Sequence, residues 1–154
     1  MISDATRSAV AELMTRFPEK RGALLPALHL IQEENGHITP ESMEYVAGKI
    51  GVSPAFVAGV VSFYTMFNTK PVGRYHIQVC RTLACALRGC RPLLRHLEER
   101  LGIKEGETTP DGKFSLVAVE CLGACDTAPM LQINEEEHGR LDPKTMDAVL
   151  SALE

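Results

Sequence analysis

The sequence predicts an α/β protein with a helical lead and a mixed-sheet domain behind it. Apolar residues recur at helical spacing through the first 67 or so positions. The period changes to strand-like alternation after the break at Lys70-Pro71-Val72-Gly73. From there the elements read strand, helix, strand, strand, helix, which predicts an α/β domain with mixed strand directions. The expected boundaries are 1–70 for the helical domain and 71–154 for the second.

In the lead, Val10, Leu13, Met14 and Phe17 lie on one helix face, and Pro18 ends the pattern. A second helix is expected over Ala23 to Glu34, with Pro26 in its first turn and Gly36 as its stop. Thr39-Pro40 and Ser53-Pro54 are two N-cap-plus-proline starts. The first opens a helix with Met43, Val46, Ala47 and Ile50 on one face. The second opens a stretch, Phe56 to Phe67, that is apolar nearly all round and is expected to be buried.

In the second half, Tyr75, Ile77 and Val79 alternate with His76 and Gln78 in a strand ending at Cys80. Leu94, Leu97 and Leu101 mark a helix over Pro92 to Leu101. Pro110-Asp111-Gly112 is a turn, Phe114 to Val119 a second strand, and Met130 to Ile133 a short third one. Met146, Val149, Leu150 and Leu153 give a closing amphipathic helix.

Composition narrows the function classes. The 154 residues carry 16 Lys and Arg against 20 Asp and Glu, a net charge of −4. A nucleic-acid protein needs a cationic face. Residues 40–50 and 54–66 imitate a helix-turn-helix, but Pro54 to Met66 holds no Lys or Arg, so DNA binding is not expected. No apolar run approaches the ~20 residues of a membrane span, and the N-terminus lacks the basic-then-apolar layout of a secretory signal. A cytosolic location, or one peripheral to the inner face of a membrane, is expected. In that reducing setting close cysteine pairs point to metal or catalysis rather than disulfides.

Four of the five cysteines form two such pairs, Cys80-x4-Cys85 and Cys121-x3-Cys125, and each pair begins where a predicted strand ends. A [2Fe–2S] cluster takes four thiolates, two on each iron. Gly123 and Ala124 are small enough to let backbone N–H groups approach its sulfurs. Oxidised, such a centre sums to −2, and reduction makes it −3, so nearby donors and cations matter. Arg81 and Arg88 flank the first pair, either to help with that charge or simply as surface cations. Four-cysteine structural zinc stays open, although neither pair has the usual C-x2-C spacing. A disulfide pair stays open on spacing alone. Thioredoxin-type dithiol, plant-type ferredoxin and Rieske spacings are absent. Cys90 reads as a spare thiol packed as a small hydrophobe, or as a replacement ligand for Cys85.

These residues resemble a known family, the 24 kDa or E subunit of NADH–quinone oxidoreductase (respiratory complex I). The matching string runs through Cys80-x4-Cys85, Leu87-Arg88-Gly89, Leu101-Gly102-Ile103, Asp111-Gly112-Lys113-Phe114, Val119-Glu120-Cys121-Leu122-Gly123-Ala124-Cys125 and Ala128-Pro129. In the lead it includes Phe17-Pro18, Lys20-Arg21, Gln32, Gly36 and Val60-x2-Phe63-Tyr64-x2-Phe67. The resemblance implies a thioredoxin-like [2Fe–2S] ferredoxin domain behind a helical docking bundle, with Cys80, Cys85, Cys121 and Cys125 as ligands. It implies an FMN- and NADH-binding flavoprotein subunit and a large iron–sulfur subunit as partners. The module would sit on the inner face of a bacterial membrane or on the mitochondrial matrix side. Related subunits serve NAD-linked hydrogenases and formate dehydrogenases. No G-x-G-x-x-G follows a strand, so NADH and FMN are expected on the partner alone. Two departures stand out: Cys90 is unusual after Leu-Arg-Gly, and the acidic stretch Asn134 to Arg140 lacks the family's tyrosines.

Overall fold

A computed structural model describes residues 2–153. The chain divides into two compact units, Met1–Pro71 and Val72–Glu154.

The first unit is all helical. α1 (Asp4–Met14) is capped by Ser3, whose hydroxyl accepts from the Thr6 N–H. A 3-10 turn (Lys20–Ala23) leads into α2 (Leu24–Asn35), which stops at Gly36. α3 (Pro40–Ile50) and α4 (Pro54–Phe63) each start with proline behind a capping hydroxyl, Thr39 and Ser53. Phe17 falls outside α1, because Thr15 and Arg16 already close the helix with tighter backbone bonds. The core gathers Val10, Leu28, Ile31, Ile38, Val46, Val57 and Val61. Replacing Thr39 with alanine removes the oxygen that accepts from the Ser42 N–H, so denaturant titration should show a loss of about 1 kcal/mol.

α4 departs from expectation. It ends at Phe63, and it buries only the stripe through Val57 and Val61. Phe56, Phe63 and Met66 are exposed, Phe63 by 76%. An apolar composition on every face is no guarantee of burial when a ten-residue helix has neighbours along one stripe.

The second unit holds a four-stranded sheet in the order β2-β1-β3-β4. Its strands are β1 (Tyr75–Cys80), β2 (Phe114–Val119), β3 (Leu131–Ile133) and β4 (Glu136–His138). β1 and β2 are parallel, and the crossover between them carries the short α5 (Leu83–Leu87) and the longer α6 (Cys90–Leu101). β3 runs antiparallel to β1, and β4 antiparallel to β3. α7 (Pro143–Ala152) closes the chain behind an Asp142–Thr145 capping box. The mixed sheet with a helical lead is the expected fold class.

Two details exceed the expectation. β4 forms from Glu136-Glu137-His138, a stretch with no apolar alternation, because it needs only to pair with the edge of β3. Gly73 lies so close to β2 that a Cβ there would come within 2.8 Å of the Phe114 carbonyl carbon. Its N–H donates to Ser115 Oγ at 2.6 Å, and that hydroxyl also meets Thr108 Oγ1 at 2.6 Å, which satisfies a buried polar residue.

Candidate metal centre

The parallel pairing of β1 with β2 decides where the cysteines lie. In register, Cys80 stands opposite Val119. Both strands therefore finish at the same end of the sheet. Cys80 is the last residue of β1, and Cys121 lies two positions past the end of β2. Two pairs far apart in sequence are delivered to one end of the sheet.

The first pair is interior. Cys80 and Cys85 are 3% and 2% exposed, whereas Cys121 and Cys125 are exposed. The site thus has a buried side and an open side. Cys121 Sγ and Cys125 Sγ are 3.8 Å apart. That is the edge of a sulfur tetrahedron around a metal at ~2.3 Å, so the pair is already spaced for one ion. Among the described residues no three His, Cys, Asp or Glu side chains converge on a single ion position.

Backbone donors surround the sulfurs. Gly123 N–H faces Cys121 Sγ at 3.4 Å. Gly123 adopts φ +91°, the left-handed region, while a Cβ there would meet nothing within 4 Å. Its role is therefore conformational: it turns the loop so that its N–H points at the sulfur.

Burial pushes Cys80 up, yet the backbone N–H groups of Leu122 and Thr82, with the Cys85 and Thr82 side chains, outweigh it and hold this thiol below its ordinary range. Leu122 belongs to the second cysteine loop, so the two loops meet at Cys80. Cys85 is pushed up to about 11, first by burial and then by Cys80, against a favourable Met130 backbone bond. Cys125 is raised mainly by its hydrogen bond with Cys121. A polarising metal, by favouring thiolates, would offset the burial that raises Cys85. The donor set, the spacing and the N–H groups fit a thiolate-bound iron–sulfur group.

Cys90 opens α6, is 2% exposed and packs in the core with Leu93 and Leu97. Burial raises its thiol. That is the environment of a small apolar side chain.

Sequence reasoning named the cysteines and missed their partners. Arg81 is not a free surface cation: it binds Glu120 through Nε at 3.0 Å and Nη2 at 2.9 Å. Thr82 donates to the same carboxylate at 3.3 Å. Glu120 adjoins Cys121 in the sequence, but its pairing with Arg81 depends on strand register. Arg88 is exposed and lines a cavity of about 410 Å³ with Cys125, Asp126, Pro129 and Arg140. On α5, Leu83 and Leu87 stand 71% and 78% exposed beside Cys85.

Comparison with known proteins fits this arrangement. Residues 10–154 match the family described as thioredoxin-like [2Fe-2S] ferredoxin. The chain belongs to that family. Its relatives there include the second E-type subunit of the NADH-quinone oxidoreductase of Rhizobium meliloti. That protein is 45% identical over 146 residues, 95% of this chain and 87% of the relative. Subunit 2 of the NADH-quinone oxidoreductase of Thermus thermophilus is 44% identical over 137 residues, 88% of this chain and 76% of the relative. Among solved structures, an NAD+-reducing [NiFe]-hydrogenase in the air-oxidized state matches 84% of this chain with TM-score 0.70 and 27% identity. This chain spans only 22% of that hydrogenase chain. The ferredoxin-family fold and the relationship to subunits of an oxidoreductase complex are thereby established.

Proposed function

We propose that this chain carries one [2Fe–2S] cluster on Cys80, Cys85, Cys121 and Cys125 and serves as an electron-transfer subunit of NADH–quinone oxidoreductase. Its electron partner is the FMN of a separate NADH-binding flavoprotein subunit. The observation that carries the reading is the parallel β1–β2 register, which brings both cysteine pairs to one end of the sheet, with the second pair spaced at 3.8 Å.

When bound, the cluster supplies one-electron chemistry between Fe(III) and Fe(II). The chain's own residues set the conditions. Four thiolates hold the irons, and the Leu122, Thr82 and Gly123 N–H groups lower the cost of added negative charge at the sulfurs. Buried Cys80 and Cys85 keep water from one side, and the exposed second pair leaves the other side open for electron exchange.

Docking to the flavoprotein and to a large iron–sulfur subunit is assigned to the exposed apolar side chains: Phe56, Phe63 and Met66 in the helical unit, Leu83 and Leu87 beside the centre. No single helix among the described residues is long and apolar enough to cross a membrane. Its likeness to NADH-quinone oxidoreductase subunits supports placing the complex as a peripheral part on the inner face of its membrane. The hydrogenase likeness favours one second reading, the equivalent subunit of an NAD-linked hydrogenase.

Metal and sulfide analysis of the anaerobically purified chain, with EPR after dithionite reduction, tests the central claim. The expected result is two irons and two sulfides per chain and a half-spin signal. One zinc per chain with no such signal would refute it. Co-purification with hydrogenase subunits, or instead with quinone-reductase subunits, separates the two host complexes, since a flavoprotein is expected in both.

A further inference from the structure

Arg81 directly follows the first cysteine, and Glu120 directly precedes the second pair. They are 39 positions apart, yet Arg81 Nε and Nη2 both donate to Glu120 Oε1, at 3.0 and 2.9 Å. Thr82 Oγ1 donates to the other oxygen, Oε2, at 3.3 Å. Thr82 occupies the N-cap position of α5, but its hydroxyl makes no cap bond there. The Arg81 N–H also donates to the Val119 carbonyl at 3.0 Å, extending the ladder by one bond past the end of β1. Arg81 Nη1 lies 4.0 Å from Glu105 Oε1, a looser third contact.

We propose that Arg81, Thr82 and Glu120 form a positioning latch that fixes the distance between the two cysteine loops and pairs the two charges that adjoin Cys80 and Cys121 in the chain. The proposal rests on the cluster reading above. The latch spans the only two segments that supply thiolates from different strands. Between Glu120 and Cys125 the chain has no strand, so this loop depends on contacts with its neighbour. Arg81 and Glu120 have side chains 56% and 65% exposed, so the pair adds little to global stability. Its effect is local. With the latch closed, the positive and negative charges offset each other one residue along the chain from Cys80 and Cys121. Opened from one side, it leaves a lone charge next to a group that must accept another negative charge.

The test uses the full chain, wild type against Arg81→Gln, Glu120→Gln, Arg81→Lys and the Arg81→Gln/Glu120→Gln double variant. Amide exchange of the metal-free chain is the first readout. Either Gln variant should speed exchange at Leu122, Gly123 and Ala124 by up to about fivefold, the range that exposed ion pairs supply. The double variant should be little worse than either single, since both remove the same interaction. Unchanged exchange in both singles, or effects that simply add in the double, would overturn the latch.

The reduction potential of the iron-loaded chain is the second readout. Glu120→Gln should raise it, Arg81→Gln should lower it, and the double should return toward wild type. Arg81→Lys keeps the charge without the two-pronged donor, so its potential should stay near wild type while loop exchange rises. Shifts of one sign in both Gln singles would overturn the charge-cancelling role. A wild-type chain that binds no iron would refute the cluster reading by itself, and the exchange experiment would still decide whether the latch exists.

Discussion

Replacing Cys121 with serine is expected to strip the centre while leaving the fold standing. Cys121 is exposed, so the serine hydroxyl meets water and no buried polar group is created. The same change at Cys80 or Cys85 would bury a hydroxyl and confuse ligand loss with unfolding. Loss of a tuning partner one shell out already costs about 10–100-fold in metal affinity, so loss of a ligand should speed iron release by more than about tenfold. Chelator competition followed by absorbance, with EPR on the reduced sample, measures this. Cys125→Ser should behave alike. Cys90→Ala should keep iron and sulfide at wild-type levels and cost about 1 kcal/mol, from the small cavity it leaves in the core. If Cys90→Ala lost the metal and Cys121→Ser kept it, the ligand assignment would be wrong.

The second large effect lies in the sheet. Leu131 is fully buried on β3, opposite Val79 on one side and His138 on the other. Truncation to alanine should cost about 2–5 kcal/mol. That is a large share of the ~5–15 kcal/mol holding a typical domain. Urea titration should show a lower midpoint with an unchanged slope. Leu131→Met, which conserves volume, should cost less than about 1.5 kcal/mol. The damage should reach the centre. The neighbouring Met130 accepts from the Cys80 N–H at 3.2 Å, and its backbone also bonds the Cys85 thiol. Leu131→Ala should therefore also loosen iron retention, whereas a core truncation in the helical unit, such as Leu28→Ala, should leave retention unchanged.

Much of this architecture is legible in the residues. Thr39-Pro40 and Ser53-Pro54 announce their helices because a hydroxyl acceptor and a donor-free ring suit a helix start whatever surrounds it. Tyr75 to Cys80 and Phe114 to Val119 show their strands because alternation or β-branching matches the pleat. The cysteine spacing names the donors. What sequence withholds is whatever register decides. Glu136-Glu137-His138 becomes a strand only because β3 offers it an edge. Arg81 finds Glu120 only because Cys80 stands opposite Val119. The Leu122 N–H reaches Cys80 for the same reason. The outward face of α4 illustrates a second limit: composition reveals that a side chain is apolar, but its surroundings determine whether it is covered.

The pairing of β1 with β2 also has a consequence for biogenesis. Parallel strands joined through two helices are a non-local contact, and non-local contacts form late because closing the intervening loop costs entropy first. During synthesis Cys80 and Cys85 leave the ribosome well before Cys121. On the proposed ligand assignment, a four-thiolate centre cannot be completed on the nascent first pair, and the two pairs come together only when β2 docks on β1. Loading should therefore follow folding of this unit, and a cluster that binds the folded unit in preference to the unfolded one should draw the folding equilibrium toward the folded form.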